Sequence, residues 1–132
     1  MLRNQSYQAY QNNAVTTASG AQLTLMLYNG CVKFIQQGMK AMEEKQFEVK
    51  NKAIQRAQDI IQELMLTLDQ EIEISKQMMP LYEYIHYQLQ QGNMKNDITS
   101  LEQALELVME FRDTWKDAMK QETTTVQQGA RV

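Results

Sequence analysis

The chain has 132 residues and a formal net charge of −3, so it is long enough for one domain with a buried core. Five glycines and one proline are too few turn residues for an all-β fold, and acidic and basic residues are intermixed. The sequence therefore has no basic patch of the kind that binds nucleic acid. It also has no apolar run or signal-like N-terminus that would predict membrane insertion. With a single cysteine, these features predict a globular protein of the reducing cytoplasm.

The first 18 residues are rich in Gln, Asn and Thr and contain few apolar side chains. We predict a loosely held N-terminal arm over 1–18, with Tyr7 and Tyr10 among its possible anchors. Ser19 followed by Gln22 fits a capping box and predicts the start of the first helix.

The first predicted helix runs to about Glu44, and its apolar residues step by three and four, the spacing of a helical bundle. This seam consists of Leu25, Tyr28, Val32, Ile35, Met39 and Met42, widened by Leu27, Cys31 and Phe34. The second helix, roughly Phe47 to Gln70, has the same spacing, whereas Leu66 projects into its polar face. Its seam consists of Ile54, Ala57, Ile61, Leu64 and Leu68.

Pro80 lacks an N–H and disturbs a helix interior, so the third helix either starts near Met79 or is kinked there, and we favour the late start. The stretch from Ile74 to Met78 is then an irregular turn, and Gly92-Asn93 is the expected stop. The expected stripe is Met78, Leu81, Ile85 and Leu89.

The fourth helix is expected to start near Asp97 or Thr99, since Thr99 and Glu102 fit a capping box. Its seam consists of Leu101, Ala104, Val108, Phe111, Trp115 and Ala118. We expect residues 121–132 to be a disordered tail. Four helices with short connections predict an all-α protein, an antiparallel four-helix bundle over 19–120.

Residues that could carry chemistry are scarce. Glu83 and His86 have the Glu-x-x-His spacing of half a di-iron carboxylate site, but the chain has no second histidine. A phosphotransfer histidine would need a basic neighbour, which His86 lacks. One histidine and one cysteine make no catalytic constellation, and no glycine-rich phosphate loop occurs. We therefore expect no enzyme, no cofactor and no metal.

The helices have more apolar surface than one core uses. The apolar arc of the first helix spans roughly 200°, compared with 100–140° for a simple core-facing helix. Ten methionines add adaptable side chains. This excess favours a groove for a peptide, although wider burial under the arm would also account for it. The candidate groove residues are Tyr7, Tyr10, Met26, Leu27, Tyr28, Leu66, Tyr84, Tyr87 and Leu107.

From Tyr7 to about Lys120 the chain resembles the flagellin-specific secretion chaperones, the FliS family. The resemblance depends on the order and spacing of six strings. They are YQAYQNN (Tyr7 to Asn13), LTLMLYNG (Leu23 to Gly30), AQDIIQEL (Ala57 to Leu64), LYEYI (Leu81 to Ile85), NMKND (Asn93 to Asp97) and FRDTWK (Phe111 to Lys116).

The resemblance implies a cytoplasmic bundle that binds the disordered C-terminal segment of flagellin in apolar grooves, which prevents early polymerisation and keeps flagellin competent for export. It also implies contacts with components of the flagellar export apparatus, and an arm that covers part of the groove when no client is bound. By motif, Tyr7 and Tyr10 match the anchoring positions of the arm. The apolar framework of the family is matched by Met26, Leu27, Tyr28, Ile61, Leu64, Leu81 and Trp115.

The chain departs from the family pattern at three places. Gly20 stands where a proline is common, Pro80 interrupts a helical stretch, and HYQL replaces frequent basic residues in the third helix. We expect a monomer or a weak homodimer. The alternative from the residues themselves is a homodimeric helical scaffold with no peptide client.

Overall fold

The computed structural model describes the backbone of residues 20–69 and 73–130, and the side chains of residues 20–69 and 73–121. Its four helices are α1 (Gly20–Glu43), α2 (Phe47–Thr67), α3 (Glu73–Lys95) and α4 (Ile98–Ala130). Each helix packs against the next one in the chain, and α4 packs back against α1, which closes a ring of four. The prediction of an all-α four-helix bundle is therefore confirmed. The predicted arm and the Ser19 cap lie outside the described residues.

The core lies on the axis of the bundle and draws side chains from all four helices. In α2 the buried residues include Ile54, Ala57, Ile61 and Leu64, as the three-and-four spacing predicted. The α4 seam is buried at Leu101, Ala104 and Val108, becomes half-buried at Phe111 and Trp115, and is exposed at Ala118.

Both tight connections end a helix with a non-glycine residue in the left-handed region. After α1, Lys45 has φ 59°, and the Gln46 N–H donates to the Ala41 carbonyl at 2.8 Å. After α3, Asn96 has φ 51°, and the Asp97 N–H donates to the Gly92 carbonyl at 3.0 Å. In each case the turn satisfies carbonyl groups that the helix end would leave unpaired.

The expected stop at Gly92-Asn93 was wrong, because Gly92 is needed for close packing rather than for a turn. Gly92 is buried inside α3, and a Cβ atom there would lie 2.6 Å from Leu101 Cδ2 and 3.1 Å from the Asp97 carbonyl oxygen. The missing side chain thus allows the end of α3 to approach the start of α4.

The start of α3 also differs from the expectation. The helix begins at Glu73 and contains Pro80, although we expected an irregular turn from Ile74 to Met78. Pro80 removes the hydrogen bond to the Lys76 carbonyl four residues earlier. Because Lys76 and Pro80 both lie on the exposed face, water can reach that carbonyl, while Ser75 keeps the buried face continuous.

Asp97 caps α4. Its carboxylate accepts hydrogen bonds from the Thr99 N–H at 3.0 Å and from the Ser100 hydroxyl at 3.1 Å, so Asp97 takes the role that we assigned to Thr99. The helix then continues to Ala130, into the stretch expected to be a disordered tail. A helix that is already nucleated gains one backbone hydrogen bond for each residue it adds, which favours this extension.

The contact that closes the ring joins the two most distant helices in the sequence. The Trp115 indole N–H donates to the Ala21 carbonyl at 2.9 Å, so the later part of α4 lies against the first turn of α1. A half-buried indole usually has such a partner for its N–H.

Candidate peptide-binding surface

The nine predicted groove residues fall into three groups in the structure. Tyr7 and Tyr10 lie outside the described residues. Leu27 and Tyr28 are only 1% and 3% exposed and belong to the core, so their side chains pack the bundle and do not present a surface. The other five are half-buried or exposed: Met26, Leu66, Tyr84, Tyr87 and Leu107.

Tyr28 can be buried because its hydroxyl finds a partner across the bundle. The Tyr28 and Tyr82 hydroxyl oxygens are 2.5 Å apart, which joins α1 to α3 along a diagonal of the ring. The Phe111 ring packs edge-on against Tyr82 with a centroid distance of 5.9 Å. Burial raises the pKa of both tyrosines, so at neutral pH both stay protonated and one donates to the other.

Tyr84 and Leu107 lie on the facing sides of α3 and α4, at the junction of these helices that we call the α3–α4 seam. The Gln88 amide nitrogen donates at 2.8 Å both to the Gln103 side-chain oxygen and to the Tyr84 hydroxyl. In an antiparallel pair held in this register, one turn further places Leu107 opposite Tyr84. Since Tyr84 is 43% exposed and Leu107 half-buried, the seam offers both apolar and polar contacts.

Leu66 and Tyr87 lie away from this seam. Leu66, on the outer face of α2, is 80% exposed, and Tyr87, on α3, is 56% exposed. Met26 is half-buried on α1. The register of α3 and α4 therefore places two of the predicted residues opposite each other, and the other three exposed or half-buried ones lie separately on three helices.

Further large apolar side chains are exposed and were not assigned to a surface from the sequence. They are Phe47, Val49, Ile74, Leu81 and Met94. Leu81 was expected in the buried stripe of α3, but it is 39% exposed, and its neighbour Tyr82 is buried instead. The buried face of α3 runs through Ser75, Met78, Tyr82, Ile85, Leu89 and Gly92. This face keeps the three-and-four spacing, and that spacing is the signal that could have identified it.

His86 and Cys31 differ in how deeply they are buried. His86 is half-buried and faces α2, with its Nε2 atom 3.3 Å from the Gln62 amide nitrogen; burial lowers its pKa, an effect partly offset by Asp59. Cys31 is fully buried, its thiol donates weakly to the Ala57 carbonyl at 3.8 Å, and burial raises its pKa. A thiol held in its protonated form is a poor nucleophile and a poor metal ligand.

The described residues contain no group of three His, Cys, Asp or Glu side chains arranged to hold a metal ion. The surface of these residues consists of apolar side chains, amide groups and charged groups, which can take part in non-covalent binding.

None of the helices within residues 20–69 and 73–130 combines the length and the apolar character needed to cross a membrane.

Comparison with known proteins gives consistent results. The family model described as flagellar protein FliS matches residues 3–122. The chain is 47% identical over 116 residues to the flagellar secretion chaperone FliS of Bacillus subtilis (strain 168), covering 88% of this chain and 87% of that one. It is 29% identical over 110 residues to the flagellar secretion chaperone FliS of Escherichia coli (strain K12), covering 81% of each.

A solved structure described as a flagellar chaperone from bacteria has a similar fold. Its TM-score is 0.72 at 18% sequence identity, and the match covers 89% of this chain and 97% of that one. At this identity the likeness concerns the fold alone.

Proposed function

Because the chain belongs to the FliS family of flagellar secretion chaperones, we propose that it binds the disordered C-terminal segment of flagellin in the cytoplasm. Occupancy of that segment prevents premature polymerisation of flagellin and keeps it unfolded for delivery to components of the flagellar export apparatus. The binding is a mass-action equilibrium and needs no chemical step.

The observation that carries this proposal is apolar surface left outside a core that is already filled. Ile35, Ile54 and Ile85 are completely buried, whereas Leu66 and Met94 are 80% and 69% exposed. Such side chains give an amphipathic partner apolar contacts that the core of the bundle does not use.

Binding of a disordered client requires an apolar surface of this kind. A segment that folds on binding loses conformational entropy, so its affinity depends on a large apolar contact area. The α3–α4 seam, with Tyr84 and Leu107, gives such a segment one stretch of contact, and Leu66 on α2 gives another. The half-buried Met26 side chain can adjust its conformation to the client.

The arm is the second part of the proposal. We propose that Tyr7 and Tyr10, which are spaced to share one face of a helical turn, occupy part of the client surface in the free protein. The client then competes with a segment of the same chain, and this competition shields the apolar surface until flagellin is present.

Titration calorimetry tests the proposal with a synthetic peptide from the C-terminal end of the flagellin of the same organism. We expect 1:1 binding with a negative heat-capacity change, since apolar surface is buried. A peptide of the same composition in scrambled order is the control. Absence of binding at micromolar concentrations, with a helical circular dichroism spectrum, would overturn the proposal.

Light scattering over a range of concentrations separates this proposal from the homodimeric scaffold. A chaperone that presents its apolar surface to a client is expected to be monomeric or to dissociate on dilution. A dimer that persists at nanomolar concentration and does not bind the peptide would favour the scaffold.

A further inference from the structure

One side of α4 has an unbroken series of carboxylates. Glu102, Glu106 and Glu110 follow one another at a spacing of four, and all three are exposed. No lysine or arginine occurs between Ile98 and Phe111. Among the described residues none of the three makes an ion pair. We call these three residues the acidic ridge.

The acidic ridge destabilises the helix that contains it. Like charges four residues apart lie next to each other on a helix and repel. In α2 the same spacing places Lys52 after Glu48, which is the favourable order of opposite charges. The contrast indicates that the ridge is unfavourable for the isolated bundle and would gain from a cationic partner.

The acidic ridge meets the α3–α4 seam at Glu110. Gln103, Leu107 and Glu110 lie on one flank of α4 at helical spacing, and Gln103 accepts the hydrogen bond from Gln88 of α3. In the register set by that bond, Tyr84 lies opposite Leu107 and Leu81 opposite Glu110. Glu110 therefore adjoins the apolar side chains of the seam, and Glu106 and Glu102 follow it on α4 at positions progressively further round the helix from α3.

The α3 side of the seam adds no positive charge. Between Gln77 and Met94 the helix has no lysine or arginine, and its histidine, His86, faces α2 and Gln62. Nothing basic within these two stretches competes with an incoming cation.

We propose that the α3–α4 seam binds an amphipathic helix whose apolar stripe is bordered by a row of lysine or arginine residues. The stripe contacts Tyr84, Leu81 and Leu107, and the basic row lies along the acidic ridge and removes the repulsion within it. The inference deepens the proposed function, on which it rests for the existence of a peptide client, because it names the chemistry of the segment that this seam accepts.

The test uses two designed peptides of about 18 residues, long enough to form a helix on binding. Both have leucines at a spacing of three and four and alanines elsewhere; lysines border the stripe in one peptide and glutamates in the other. Fluorescence anisotropy with the full chain at low salt is expected to show the lysine peptide binding about tenfold more tightly or better. Added salt should weaken the lysine peptide, since exposed charge pairs are screened.

Removal of carboxylates from the acidic ridge tests whether the lysine peptide binds there. The double substitution Glu106→Gln and Glu110→Gln is expected to weaken the lysine peptide about three- to tenfold, as two exposed ion pairs are lost. The control is Glu44→Gln with Glu48→Gln, which removes two exposed carboxylates at the turn between α1 and α2 and should leave the affinity unchanged. Equal binding of the two peptides, or an equal loss in both double variants, overturns the inference.

A parallel measurement with the flagellin peptide distinguishes failure of the inference from failure of the proposed function. If the flagellin peptide binds but the designed peptides do not differ, the proposed function stands and the inference fails. If the lysine peptide binds in a ridge-dependent way but the flagellin peptide does not bind, the inference stands and the proposed client is wrong.

Discussion

The ammonium group of Lys50 donates a hydrogen bond of 2.7 Å to the carbonyl oxygen of Asn93, so a buried charge at the start of α2 closes the end of α3. The same nitrogen lies 2.5 Å from the Asn96 side-chain oxygen, and Lys50 is only 3% exposed. Burial lowers the pKa of Lys50, but the negative end of the α3 dipole favours a cation at this position. The C-terminus of α3 thus stabilises the buried ammonium group, a role that an Asp or Glu carboxylate usually has.

Replacing Lys50 with methionine is therefore expected to destabilise the bundle. Methionine keeps an apolar stem but leaves the Asn93 carbonyl and the Asn96 amide oxygen without this donor, at an expected cost of about 1–3 kcal/mol. Urea unfolding measures the loss. Lys52→Met, at an exposed position of the same helix, is the control. If the two variants unfold at the same urea concentration, the interaction adds no stability.

The buried tyrosine pair should show strong coupling. Tyr28→Phe or Tyr82→Phe alone leaves one hydroxyl in the core without its partner, with an expected loss of about 1–3 kcal/mol for each single variant. The double variant replaces both hydroxyls with an apolar contact and should lose less than the sum of the two. A double-mutant cycle from urea unfolding gives the coupling free energy. Additive losses would show that the two hydroxyls act independently.

Gly92→Ala is expected to destabilise the protein in spite of the higher helix propensity of alanine. Alanine is favoured in a helix interior by about 1 kcal/mol over glycine. A Cβ atom at Gly92 would, however, meet Leu101 at 2.6 Å and a backbone oxygen at 3.1 Å, and overpacking costs about 1–3 kcal/mol. At Gly20, where a Cβ meets nothing within 4 Å, the same substitution should be neutral or stabilising. Equal melting temperatures of the two variants would contradict this argument.

Leu66→Glu should weaken binding of the flagellin peptide and leave the fold intact. Leu66 is 80% exposed, so the bundle loses little packing when it is replaced. Calorimetry with the peptide measures the affinity, and circular dichroism measures helicity and melting temperature. Gln55→Glu adds the same charge to an exposed position of α2 without removing an apolar group. A large drop in melting temperature for Leu66→Glu alone would show that Leu66 stabilises the fold.

Deletion of residues 1–18 should raise the affinity or the association rate for the flagellin peptide, because the client no longer competes with the arm. Stopped-flow fluorescence of Trp115 with labelled peptide measures the association rate. Tyr7→Ser with Tyr10→Ser keeps the length of the arm and should give a change in the same direction. Unchanged binding in both variants would exclude shielding by the arm.

The sequence predicted most where packing is apolar and local. In α2, isoleucine and leucine at a spacing of three and four identify the buried face, and Leu66 on the opposite side is exposed as the spacing indicates. In α3 the buried face has the same spacing but is harder to recognise, because Ser75, Tyr82 and Gly92, which are not aliphatic, occupy buried positions. Tyr82 is compatible with the core only because the Tyr28 hydroxyl, 54 residues earlier in the chain, lies beside it.

The candidate surface was harder to predict than the fold. Leu27 and Tyr28 lie on the wide apolar arc of α1 and were both assigned to the groove, yet they are 1% and 3% exposed and belong to the core. Which part of a wide apolar arc is buried depends on the helices that lie next to it, and hydrophobic spacing along one helix does not contain that information. Pro80 is a similar case, since a helix tolerates it where the freed carbonyl faces water.

The contact between Trp115 and Ala21 has a consequence for how the protein reaches its native state during synthesis. The three hairpins of neighbouring helices can form from short segments, whereas this contact joins residues 94 positions apart. Closing a longer loop costs more entropy, so the α1–α4 interface is the last to form. In a chain still on the ribosome that ends before Trp115, we expect the flank of α1 that α4 later covers to be exposed to solvent and open to unwanted association for that interval.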